Sequence, residues 1–250
     1  MMMPEALPIL FRDAHLVAVD KPSGWLVHRT MLDRHETRFV VQRLRDQIGC
    51  RVYPAHRLDR GTSGILLFTF DPATCTRLAA QFENRQVLKT YLAVVRGHPP
   101  LEGVIDHPLS RQFDAYEFRD IDASNAVQDA LTRFRRLATV ELPYAVDRYP
   151  TSRYALLELS PETGRRHQLR RHLKHLAHPI IGDATYGKGK HNRFFAELFG
   201  CHRMLLACTA LELTHPANGE PLSLKASPGN DFMNVLKQLD WTQYVGGSSN

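Results

Sequence analysis

The chain has 250 residues, 43% hydrophobic and 23% charged, a balance that suits a folded globular core and excludes a largely disordered or collagen-like polypeptide. A net charge of +6 and a pI near 9.3 favour an anionic partner. Cys50, Cys75, Cys201 and Cys208 show no CxxC spacing, which argues against a disulfide framework and for reduced thiols in a cytoplasmic protein.

Met1 to Pro8 lacks a charged segment followed by an apolar core, so no secretory leader is expected, and no apolar run reaches the length of a membrane span. Ile9-Leu10-Phe11 and Leu16-Val17-Ala18-Val19 read as short strands about the turn Arg12 to His15, and Lys21-Pro22-Ser23-Gly24 ends the second. Thr37 to Ile48 carries Val40, Val41, Leu44 and Ile48 at helical spacing, with Gly49 as the stop. A strand over 65–70 opens with the unbroken run Ile65-Leu66-Leu67-Phe68, as a strand buried on both faces should. Asp71 and Pro72 then cap a helix expected to bury Leu78, Ala79 and Phe82. Lys89 to Arg96 alternates like a half-buried strand. Gly97 to Ala126, with Pro99, Pro100 and Pro108, reads as an excursion over the surface. Leu131 to Val140, Arg153 to Leu159 and Met204 to Leu213 are further strands. Gly164 to Ala177 predicts a helix with Leu169, Leu173 and Leu176 on one stripe, and Asp231 to Trp241 a terminal helix before a frayed end at 246–250. Strands and helices without regular βαβ alternation predict a mixed α+β sheet protein.

The chemistry concentrates in His56-Arg57-Leu58-Asp59-Arg60-Gly61-Thr62-Ser63-Gly64. Here a lone carboxylate sits in a basic, glycine-bounded turn at the edge of a buried strand. Cationic neighbours favour the ionised form of a carboxylate, which suits a nucleophile or base; a surface Asp paired to an adjacent Arg is the plainer alternative. Arg165, Arg166, Arg170 and Arg171, interleaved with His167, His172, Lys174 and His175, form either a solvated helix face or an RNA contact. The histidines lack an HExxH pattern or a nearby Cys pair, so no metal is expected. Gly187-Lys188-Gly189 is too short for a phosphate loop, and no second carboxylate stands in a motif as a glycosidase would need. No cofactor is implied.

The nonapeptide around Asp59 resembles the signature of the RluA-type pseudouridine synthases. Lys21-Pro22-Ser23-Gly24, Lys89-Thr90-Tyr91-Leu92-Ala93, Thr163 to Arg170 continuing through His178-Pro179-Ile180-Ile181-Gly182-Asp183, and Arg203-Met204-Leu205-Leu206 with Leu213-Thr214-His215-Pro216 resemble its other motifs. The resemblance implies an α+β catalytic domain with an extended mixed antiparallel sheet, flanking helices and a central RNA-binding cleft. It places that domain over 9–243, after a short extension (1–8) and before a flexible tail (244–250), with no S4-like module. It makes Asp59 the catalytic residue, Arg170 its salt-bridge partner and Tyr91 the ring facing the target base, where it could stack on the uracil and its hydroxyl could remove the C5 proton after reattachment. Leu169 and Leu206 become apolar walls of the base pocket or ordinary core, Arg57 fills the gap left by a flipped base, and Arg165, Arg166, Arg171 and Lys174 hold phosphates. The Asp attacks C1′ or removes a sugar proton; the residues do not choose between these routes.

Gly24-Trp25-Leu26-Val27-His28-Arg29 with Leu32-Asp33-Arg34, Leu137 to Pro143, Arg148 to Tyr154 and the doubled Arg170-Arg171 look like the branch acting on uridine 65 of tRNA. A monomer that binds tRNA and no membrane is expected. Ala207-Cys208 stands where the family usually has His-Ala, a change expected to affect packing more than chemistry.

Overall fold

The computed structural model describes residues 6–28, 38–112 and 126–245. The readings on Arg29, on Leu32-Asp33-Arg34, on the helix onset at Thr37, on 113–125 of the surface excursion, on 1–5 and on the end from Gly246 lie outside them.

Strands β1 (Ile9–Arg12) and β2 (Leu16–Lys21) pair antiparallel about a turn in which Asp13 accepts from the amides of His15 and Leu16. Helix α1 (Val40–Ile48) stops at Gly49, whose φ of 75° is the left-handed value that favours glycine. After β3 (Tyr53–Pro54) comes β4 (Ser63–Thr69), buried along all seven residues as its apolar run requires. Asp71 accepts from the Thr74 amide at 2.8 Å, and Pro72 opens α2 (Pro72–Glu83). That helix buries Thr74 and Leu78 but leaves Ala79 and Phe82 half-buried, less than expected. Strand β5 (Leu88–Arg96) follows.

The surface excursion is corrected in part. It contains β6 (Glu102–Asp106), an edge strand of the main sheet, and β7 (Leu109–Ser110), which pairs with β8 (Val127–Gln128). The local apolar pattern is weak there, and pairing with the long β9 (Leu131–Leu142) supplies the order. Strand β10 (Ser152–Pro161) pairs back onto β9. Helix α3 (Gln168–His175) starts four residues later than the sequence suggests. The Gln168 Oε1 accepts from the Thr163 hydroxyl and the Arg165 amide, at 2.7 and 3.0 Å, and His167 takes a φ of 55°, so 164–167 stay outside the helix. Helix α4 (Gly189–Phe199) was not anticipated, because Lys190, Arg193 and Glu197 dilute the aromatic stripe of Phe194, Phe195 and Phe199. Strands β11 (Leu206–Thr214) and β12 (Pro221–Lys225), helix α5 (Asn230–Gln238) and a 3-10 turn at Thr242–Tyr244 complete the described chain.

The main sheet runs β1-β2-β4-β11-β5-β10-β9-β6, with β3 on β4 and β12 on β11. All its pairings are antiparallel except β4 with β11. Strand alternation divides the central strands between two cores. Leu92, Val94, Tyr154 and Leu156 pack with Phe195, Phe232 and Val235 of α4 and α5. Ala93, Val95, Ala155 and Leu157 pack with Leu169 and Leu173 of α3. Helices on both faces explain why 92–95 and 154–157 are buried without a break, so the strand expected to be half-buried over 89–96 is instead covered on both faces along its second half. The parallel junction is tight: a Cβ on Gly64, at φ 107°, would lie 2.0 Å from the Cys208 carbonyl oxygen.

Candidate active site

The turn carrying Asp59 lies just before β4, closed by the Thr62 amide donating to the Asp59 carbonyl at 3.1 Å and anchored by buried Leu58. A second loop staples it. Lys21 is fully buried, and its ammonium donates to the carbonyls of Pro22, Trp25 and Arg60 at 3.0, 2.8 and 3.1 Å. Ser23 donates to the Gly61 carbonyl at 2.7 Å, while Arg60 Nε donates to the Gly24 carbonyl at 3.1 Å. The Lys-Pro-Ser-Gly segment is thus the brace of the Asp59 turn. Burial, followed by the charge of Arg203, pushes the Lys21 ammonium down to about 7 against the pull of Asp59 and Asp20.

The sequence suggested that Arg57 and Arg60 crowd the carboxylate. Both are exposed, and Arg60 Nε is turned to Gly24. The cation hydrogen-bonded to Asp59 is Arg170, whose Nη1 lies 3.1 Å from Oδ2. Arg170 sits on the buried side of α3 and is itself held from behind. Its Nε and Nη2 donate to the two carboxylate oxygens of Asp183 at 2.7 and 2.9 Å. Asp183 also accepts from the amides of Thr185 and Tyr186. Burial raises its carboxyl, but the Arg170 and amide hydrogen bonds outweigh that and leave it below the ordinary value. For Arg170 the same bonds overcome burial in the other direction, so its charge is reinforced. The Tyr186 ring lies 5.0 Å from the Arg170 guanidinium carbon, a cation–π distance, and its hydroxyl lies 3.1 Å from His167 Nδ1. His167 Nε2 stands 3.9 Å from Asp59, and burial shifts this imidazole toward its neutral form. Asp183 and Tyr186 carried no role in the sequence reading, where only the Ile-Ile-Gly-Asp segment hinted at the first, and His167 figured only in a solvated helix face or an RNA contact.

Asp59, Arg170 and Tyr91 open on one cleft of about 640 Å³, which Arg57, Leu169, Leu206, Arg165, Arg166 and Arg171 also line. Tyr91 packs between the β4 core and the α3 core. Burial, then the adjoining Cys208 thiol, raises its phenol well above the usual value, so the ring is neutral. Cys208 is Tyr91's cross-strand partner on β11, and Ala207 beside it is core. Leu169 and Leu206 are buried in the α3 core. Two of the basic residues brace protein as well as line the cleft. Arg165 Nε donates to the Asp129 carbonyl at 2.9 Å, and Arg171 donates to the Ser110 carbonyl and hydroxyl at 2.9 and 2.8 Å. Among the described residues no group of three potential metal ligands is clustered, and no helix is long and apolar enough to cross a membrane.

A model of the family described as RNA pseudouridylate synthase matches residues 15–175. A protein of Pectobacterium carotovorum subsp. carotovorum named tRNA pseudouridine synthase C is 49% identical over 94% of this chain, which spans 62% of that protein. Proteins of the same name from Pasteurella multocida (strain Pm70) and Salmonella typhi are 49% and 50% identical over 94% of this chain, which spans 97% and 90% of their lengths. Among solved structures, human RNA Pseudouridylate Synthase Domain Containing 4 superposes with a TM-score of 0.68 at 27% identity, covering 93% of each chain. Human RNA Pseudouridylate Synthase Domain Containing 1, at 24% identity and a TM-score of 0.69 over the whole of both chains, shares the fold. By sequence over most of its length, the chain belongs to the RNA pseudouridylate synthase family, of the RluA type.

Proposed function

We propose that this synthase converts a uridine of tRNA to pseudouridine, with uridine 65 as the target. The observation that carries the reading is a carboxylate, Asp59, fixed at 3.1 Å from a buried guanidinium in a cleft walled by Tyr91, Leu169 and Leu206. The name shared by the bacterial relatives supports tRNA as substrate, and the Leu137 to Pro143 and Arg148 to Tyr154 segments support the uridine-65 branch. The four cysteines are free thiols, in keeping with the reducing cytoplasm.

The reaction breaks the C1′–N1 bond, joins C1′ to C5, releases the C5 proton and returns a proton to N1, with no net gain or loss of atoms. Asp59 acts on the sugar, either at C1′ or at a sugar proton, with Arg170 balancing its charge. Tyr91 offers a neutral ring to the uracil, a stacking contact worth about 1–3 kcal/mol, and its hydroxyl removes the C5 proton after C1′ has joined C5. Arg57, exposed at the mouth, takes the place of the extruded base, which otherwise costs a few kcal/mol of lost stacking. Arg165, Arg166 and Arg171 meet phosphates and contribute affinity without sequence choice.

The test is tritium release from C5-labelled uridine in unmodified tRNA by wild type and Asp59→Asn, followed by mapping of the product. Release by wild type alone, mapping to position 65, is expected. Release by the variant removes Asp59 from the chemistry. Tight binding without release by either protein makes the chain a non-catalytic RNA binder of this fold or directs the search to another RNA.

A further inference from the structure

The arginines assigned to phosphates all lie on or just before α3. A different wall of the same cleft, built from the end of α2 and the start of β5, also carries cations: Arg85 and Lys89 line it, together with the carboxylate of Glu83. Strand alternation places Lys89 on the face of β5 that bears Tyr91, two residues away. Lys89 is half-buried, and among the described residues its ammonium has no hydrogen-bond or ion-pair partner, Glu83 included. This is unusual, because a partly desolvated ammonium normally finds an acceptor.

Arg85 is placed with similar disregard for local comfort. It follows the α2 C-cap with a φ of 60°, where glycine or asparagine is the usual choice, and its side chain is exposed without a partner among the described residues. Two unpaired cations on one wall, one of them half-buried beside the base-facing tyrosine, form a site for an anion that enters from outside.

We propose that Lys89, with Arg85 at the rim, is a phosphodiester subsite that takes the backbone phosphate entering the cleft with the flipped nucleotide. The proposal rests on the functional reading above, because the anion is supplied by the substrate RNA. A phosphate on Lys89 would offset the burial that now lowers its pKa, and would hold the ribose against Asp59 from the side away from Arg170's own helix. Lys89 is a positioning residue in this scheme, acting through the backbone.

Counterion release provides a readout that a packing role would not move. Binding of unmodified tRNA is followed by fluorescence anisotropy across a salt series for wild type, Lys89→Gln, Lys89→Arg and Lys89→Gln/Arg85→Gln, with turnover measured in parallel. Each lost phosphate contact lowers the magnitude of the slope of log affinity against log salt by about 0.7–0.9. Lys89→Gln is expected to lose one such contact, the double variant about two, and Lys89→Arg none. An unchanged slope for Lys89→Gln overturns the subsite, whatever happens to turnover, and so does a Lys89→Arg slope that falls as far as that of the glutamine variant. A wild type that neither binds nor isomerises tRNA removes the functional reading and the subsite with it. The subsite alone fails if wild type does both while the glutamine variant keeps the full slope.

Discussion

Arg170 is shared between two carboxylates in unlike surroundings, and removing each separates anchoring from chemistry. The Asp183 side chain is 0% exposed, Arg170 11% and Asp59 22%. Asp183→Asn keeps the shape of the deeper partner and removes its charge. Breaking a buried pair at one end costs about 3–5 kcal/mol, and the lower end applies because Asp59 remains as a counter-charge. In a domain of this size about 1 kcal/mol moves the melting temperature by roughly 2–4 °C, so Asp183→Asn should lower it by about 6–12 °C. Asp59→Asn leaves both Asp183 bonds intact and removes a partly solvated partner, so its cost should stay within about 1 kcal/mol. Turnover behaves differently. Asp59→Asn should abolish tritium release, whereas Asp183→Asn should reduce it about 100-fold by letting the guanidinium drift. Calorimetric melting with the release assay tests both halves. Equal melting temperatures for the two variants, or wild-type stability in Asp183→Asn, would refute the division.

Arg170→Lys should also lower turnover about 100-fold, because a point-like ammonium cannot bridge both carboxylates as the planar fork does; full activity would show that charge alone suffices. Gly64→Ala should destabilise the protein by more than about 1 kcal/mol in denaturant titrations, since the backbone is left-handed and Cys208's carbonyl occupies the Cβ position. Two histidines make the fold acid-sensitive. His56 Nε2 accepts from the Leu67 amide and burial pushes it to about 3, while His191 Nε2 accepts from Arg96 and burial, then Arg96, push it to about 4. Between those values and the ordinary histidine pKa of about 6.5, the unfolded chain binds more protons. Stability should therefore be whole above about pH 6.5 and fall as pH drops toward 4; a flat denaturation midpoint across that window would contradict the assignment.

The sequence was most readable where local and tertiary demands agree. The run at Ile65 to Phe68 named a strand covered on both faces, and Asp71-Pro72 named a helix start, because each pattern has one comfortable conformation. The Asp59, Arg170 and Tyr91 set was readable through motif resemblance, although the residues are far apart in the chain. What escaped notice depends on partners elsewhere. Strand β6 owes its order to β9, and the late start of α3 follows from the Gln168 side chain capturing local donors that a helical pattern does not reveal. Asp183 stood in a motif but not as a support, because nothing in its neighbours tells that Arg170 will turn back to meet it. Lys21 looked like a turn signal, yet it is a buried cation bonded to the carbonyl of Arg60, 39 residues later.

Strand β11 lies between β4 and β5, which are consecutive long strands in the chain. A growing polypeptide that has reached the end of α3 therefore carries Asp59, Tyr91 and Arg170 but lacks the strand that lies between the first two. Until residues 206–214 emerge, the facing edges of β4 and β5 remain unsatisfied and inviting to one another or to a neighbouring chain. Insertion of that last central strand closes a contact of long sequence separation, a slow kind of step. The cleft is therefore complete only once β11 has joined, so a product terminated before residue 206 would lack it and would be prone to association.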